Sequence, residues 1–161
     1  MHTIKKIEQT FSYITPVSLT DRPILGMVEG TNKTLMIDAG NSEDHATDSV
    51  IVYVKEEKIL FLGDCIYPKM YAEKVHYTVK ETLRLLEELE AFDADTYIPS
   101  YQRPWTKEEF CQERNKLRMI AKFTGLCGGD HQRIGSEYQA HVNRELKEDE
   151  LETIVYFVNG Y

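Results

Sequence analysis

Up to Tyr71 the apolar residues of this chain gather in short runs broken by turn-forming residues, and beyond it they recur every three or four positions. The early runs read as strands. QTFSYITPVSL is rich in β-branched and aromatic residues, and ILGMVEG and TLMIDAG flank the turn-like Gly30-Thr31-Asn32-Lys33. SVIVYV and KILFLGD flank Lys55-Glu56-Glu57, which predicts a second hairpin. VIVYV and ILFL are continuously apolar rather than alternating, a pattern of strands covered on both faces.

In YTVKETLRLLEELEAFD the residues Val79, Leu83, Leu86, Leu89 and Phe92 fall at helical spacing, and Thr78 with Glu81 has the spacing of a capping box. ADTYIPS is a short strand stopped by Pro99. Thr106 and Glu109 offer a second capping box, opening a helix over KEEFCQERNKLRMIAKF that Gly125 is placed to end. Gly128-Gly129 break the chain before a helix started by Asp130 and carrying Ile134, Tyr138, Val142 and Leu146. A last helix, EDELETIVYFV, puts Leu151, Ile154, Val155 and Val158 on one face before Asn159-Gly160. The order strands, helix, strand, helices predicts a layered α/β (α+β) domain with its functional loops at strand ends. We expect a single domain over 1–161, with N-terminal strands in 1–42, a hairpin, helix and strand in 43–105, and helices in 106–161.

Charge narrows the partners. With 27 acids against 19 bases the formal charge is −8, which opposes binding to a phosphate backbone or to an anionic membrane surface. The expectation is therefore no nucleic-acid and no membrane partner. The N-terminal MHTIKKIEQTFSYITP has no apolar core of a secretory signal, and the apolar runs are too short to span a bilayer. Three widely spaced cysteines, Cys65, Cys111 and Cys127, form no C-x-x-C pair; free thiols suit a reducing compartment, so a cytoplasmic location is expected.

Three stretches in order, GMVEGTNKTLMIDAGNS, DHATDSVIVYVKEEKILFLGDCIYP and LEAFDADTYIPSYQRP, resemble the metallo-β-lactamase-fold hydrolases over most of residues 20–105. The resemblance implies a truncated version of the αββα sandwich of that family. It also implies that Asp64, in the Gly-Asp that ends a hairpin, matches the family's metal-bridging carboxylate. The departures are as informative. No H-x-H occurs among His2, His45, His76, His131 and His141, so the family's His-x-His-x-Asp-His element is missing. Its flanks meet at NSEDHATDS, and a tyrosine, Tyr101, stands where the last ligand histidine would be.

The metal candidates are thus Asp64 and His45. His45 resembles a mid-domain ligand if DHATDS belongs to the later edge of this seam, and a plain loop histidine if GNSEDHA belongs to the earlier one. Asp38 reads as a turn residue fixing the Ala39-Gly40 bend. Cys65 is either a zinc-compatible thiolate or a small core residue. Tyr101 can donate a hydrogen bond but is a poor ligand at neutral pH, and His76, His131 and His141 are expected to face solvent.

A zinc site needs three or four convergent ligands, so no cofactor is expected, with zinc or another divalent metal at most weakly held. The leading expectation is a degenerate metallo-β-lactamase-like protein without hydrolase activity, kept as an oligomeric fold remnant or binding module. The alternatives are a metal-dependent hydrolase of a small ester, thioester, lactone or amide with a rebuilt site, and a structural oligomer with no ligand. Strands missing from a covered sheet would leave an open edge, so the partner expected is the chain itself, as a homodimer or higher oligomer, with exchanged elements as one route.

Overall fold

A computed structural model describes residues 4–7, 9–14, 25–31, 34–37, 51–71 and 74–161, and these form a mixture of strands and helices. The chain divides into two units, Met1–Tyr67 with Asp93–Lys107, and Pro68–Phe92 with Glu108–Tyr161.

The first unit carries two sheets. Strands β1 (Ile4–Lys6), β2 (Phe11–Ile14), β3 (Leu25–Glu29) and β4 (Thr34–Ile37) run as an antiparallel meander. Pairing of Gly26 with Ile37 through to Glu29 with Thr34 bears out the hairpin expected around Gly30. The second sheet has the order β10-β9-β6-β5. Its β5 (Val52–Val54) and β6 (Ile59–Gly63) form the second expected hairpin, closed by a turn in which Lys58 takes φ 51°. β6 then pairs in parallel with β9 (Thr96–Pro99), and β9 pairs with the two-residue β10 (Trp105–Thr106).

All five residues of β6 are buried, as its unbroken apolar run predicts. By the pleat, Ile59 and Phe61 share one face and Leu60 and Leu62 the other. The first face joins Ile98, Phe11 and Tyr13 in a core flanked by Ile7, Val28, Val52 and Val54. β5 is only half-buried although its run is equally apolar, because it borders the sheet and lacks a second described neighbour.

The second unit is a helical bundle with one hairpin, β7 (Lys69–Tyr71) and β8 (Lys74–His76). Its helices are α1 (Val79–Glu90), α2 (Lys107–Leu126, in this unit from Glu108), α3 (His131–Val142) and α4 (Glu148–Asn159). Leu86, Leu117, Ile120, Ala121, Ile134, Tyr138, Ile154 and Phe157 form the core between them. Asp130 caps α3 as expected, its carboxylate accepting the Arg133 N–H at 3.0 Å. No helix among the described residues is long and apolar enough to cross a membrane.

Three local expectations are corrected. Thr78 precedes α1 but its hydroxyl caps no helix amide, and the Glu81 carboxylate meets the Lys69 ammonium at 2.9 Å. A full charge outcompetes a backbone N–H that water can also satisfy. Next, α2 passes through Gly125 and ends at Leu126, and the left-handed turn falls on Gly128 (φ 64°) and Gly129 (φ 75°). An exposed glycine weakens a helix without stopping it. Last, α4 buries Glu150, Thr153, Ile154 and Phe157, whereas Leu151 and Val155 are 45% and 41% exposed. The helix is rotated from the purely apolar face because Phe157 fills the core and Glu150 is held there by Arg144, the Tyr138 hydroxyl and the Lys147 N–H.

The end of α4 is locked to β8 and the residue after it. Tyr77 N–H donates to the Tyr156 carbonyl at 3.0 Å, and Asn159 Nδ2 donates to the Val75 carbonyl at 2.9 Å. A Cβ at Gly160 would collide with the Tyr77 carbonyl oxygen, which is backbone and cannot swing aside. Gly160→Ala is expected to destabilise the chain by about 2 kcal/mol, a typical overpacking penalty. An unchanged urea midpoint would deny that close approach.

Candidate functional site

β6 and β9 run side by side in parallel, so the loops at their C-terminal ends lie together, the usual place for a site in such a sheet. Gly63 takes φ 56°, a conformation that favours glycine, at the irregularity between Phe61 and the Gly63–Pro99 pairing. The chain then turns: Cys65 N–H donates to the Leu62 carbonyl at 3.3 Å and Tyr67 N–H to the Asp64 carbonyl at 3.0 Å. Ser100 N–H donates to the Gly63 carbonyl at 3.2 Å, which fixes the residue after Pro99 against the residue before Asp64.

Asp64 is 4% exposed, at the strand–loop junction where the sequence places it. Tyr101 joins the same edge, its N–H donating to the Tyr67 hydroxyl at 3.2 Å with the two rings edge-to-face at 5.3 Å between centroids. Cys65, partly buried, has its thiol pushed up to about 12, first by loss of solvation and then by the Asp64 charge. It therefore sits as a neutral thiol rather than a thiolate. Ser100 is fully buried and its hydroxyl has no hydrogen-bond partner among the described residues. That residue was missed from the sequence; its signal was a lone serine following the proline that ends an apolar strand.

His45 and Asp38 lie outside the described residues. His131 and His141 are exposed as expected. His141 lies edge-on to Phe123, with 5.8 Å between ring centroids. His76 differs: it is half-buried beside Gly160, because β8 packs under the end of α4.

The edge thus gathers one buried carboxylate, a neutral thiol, a buried hydroxyl and two phenols. Among the described residues no three His, Cys, Asp or Glu side chains are placed to hold a metal ion. A hydrolytic metal needs such convergent ligands and an open coordination position, and the described residues do not fit one. What they can do is exchange hydrogen bonds with a polar group lodged at the strand ends. No protein-family model, curated protein or solved structure matches this chain.

Proposed function

We propose that this chain is a degenerate metallo-β-lactamase-like protein, a shortened αββα sandwich that has no hydrolase activity and acts as a self-associating binding module. One observation carries the reading. The two strand ends that would bear the family's bridging carboxylate and last ligand histidine are adjacent, yet they offer Asp64, the neutral thiol of Cys65 and Tyr101, and no three His, Cys, Asp or Glu side chains among the described residues are placed to hold a metal. A protonated phenol does not replace imidazole as a metal ligand.

Self-association draws support from β4 and β5, which border their sheets among the described residues, and from the exposed Leu35 of β4. Uncovered strand edges of this kind pair readily with another chain.

Elemental analysis after equilibration with zinc, manganese and iron tests the reading. Substoichiometric metal, unchanged in Asp64→Ala, is the expected result. One metal per chain that disappears in that variant would instead support a metal-dependent hydrolase with a rebuilt site. Sedimentation at micromolar concentration is expected to show a dimer or larger, and a strictly monomeric chain would remove the self-association.

A further inference from the structure

α4 ends on Asn159, and Gly160 follows it. Among Asn32, Asn41, Asn115, Asn143 and Asn159, only Asn159 precedes a glycine. An asparagine side chain is open to attack by the backbone nitrogen that follows it, and glycine, with no Cβ and the freest backbone, hinders that attack least.

The reaction balances with water alone. The Gly160 nitrogen gives its proton to solvent base and bonds to the Asn159 side-chain carbonyl carbon. The bond from that carbon to Nδ2 breaks, and ammonia leaves behind a cyclic succinimide. Water then opens the ring at either carbonyl, giving aspartate or, with the backbone rerouted through the side chain, isoaspartate.

The fold holds both reacting groups away from this chemistry. Asn159 Nδ2 donates to the Val75 carbonyl of β8 at 2.9 Å, and the Gly160 N–H donates to the Phe157 carbonyl at 3.3 Å. Ring closure also requires the Asn159 ψ to leave its helical range, a rotation that breaks both bonds. The side chain is exposed to solvent base but is denied the geometry of attack.

Conversion would turn the same contacts against the fold. An oxygen in place of Nδ2 faces the Val75 carbonyl as acceptor to acceptor. Its negative charge sits at the C-terminus of α4, which the helix dipole already makes negative. Isoaspartate lengthens the backbone beside Gly160, where even a Cβ would collide with the Tyr77 carbonyl oxygen.

We propose that Asn159 is a self-modification site, guarded in the folded chain by the clasp between α4 and β8, and that its deamidation is a one-way release of that clasp. The site lies within the second unit and survives failure of the family reading.

Peptide mapping by mass spectrometry tests the guard, on the full chain aged at mildly alkaline pH in buffer and in concentrated urea. In urea Asn159 is expected to convert faster than any other asparagine. In buffer it is expected to convert at least about tenfold more slowly than in urea, because two hydrogen bonds must open first. Native-state hydrogen exchange tests the release, read at the Tyr77 N–H that donates to the Tyr156 carbonyl at 3.0 Å. Exchange there is expected to quicken about tenfold in the deamidated fraction and in Asn159→Asp, and only about threefold in Asn159→Ala, which loses the bond without gaining a charge. The aged native chain supplies this readout even where Asn159→Asp does not fold. Equal conversion in buffer and urea would overturn the guard, and unchanged Tyr77 exchange in the deamidated fraction would overturn the release.

Discussion

Phe61→Ala is expected to lower the unfolding free energy by about 4 kcal/mol, the usual cost of emptying a buried aromatic site. Phe61 has no solvent exposure and sits mid-strand in β6, paired with Val52 on one side and Ile98 on the other. Its ring belongs to the cluster that also holds Phe11 and Tyr13 from the other sheet. A strand flanked on both sides cannot shift to refill the space, so the cavity term adds to the lost transfer energy. Val54→Ala, at the half-buried border strand β5, is expected to cost only about 1 kcal/mol because its side chain is already part-exposed and solvent reaches the gap. Urea unfolding of the two variants checks the contrast. Equal losses would mean that β6 is not the central strand of this sheet.

That contrast also marks how far the sequence could be read. ILFLG announces β6 because five consecutive apolar or small residues leave no polar face to expose, and VYVKEEKIL announces its hairpin. β10 was illegible: Trp105-Thr106 is too short to carry any period and owes its pairing to β9. The face of α4 was misread for a different reason. Apolar counting favoured Leu151 and Val155, while the structure buries the charged Glu150, whose three partners are invisible in a linear pattern. The candidate site was legible only in part. GDCIY and YIPS fall at the ends of parallel neighbours, so Asp64 and Tyr101 could be placed, whereas His45 lies outside the described residues. Ser100 left a faint signal after Pro99, but its contact with Gly63 could not be foreseen, since it depends on residues far apart in sequence arriving at one point.

Glu150 gives the second large effect, and it depends on pH. Its carboxylate is 4% exposed; it receives Arg144 Nη1 at 2.8 Å and Nη2 at 2.7 Å, Lys147 N–H at 2.8 Å, and the Tyr138 hydroxyl at 3.0 Å. The Lys147 bond is one half of a capping box; a lysine ammonium accepts nothing, so the reciprocal half cannot form. The Arg144 guanidinium foremost, against the opposing effect of burial, holds the Glu150 carboxyl at about 2, below its ordinary 4.5. Burial and then the Glu150 charge push the Tyr138 phenol upward, so it stays a donor.

The unfolded chain takes up this proton near its ordinary value and the folded chain only near 2. The stabilisation is therefore fully present above about pH 5 and lost as pH falls towards about 2. The shift corresponds to roughly 3 kcal/mol at most, and the solvent-facing side of Arg144 screens it to about 2 kcal/mol. Glu150→Ala is expected to cost about 3 kcal/mol near neutral pH, because it also leaves Tyr138 and Lys147 N–H without an acceptor. Glu150→Gln, which keeps an oxygen for those donors, is expected to lose less. Urea unfolding across this range should show the gap between the native chain and Glu150→Gln closing as the pH drops. A gap that stays constant with pH would mean that the pair with Arg144 contributes packing rather than charge.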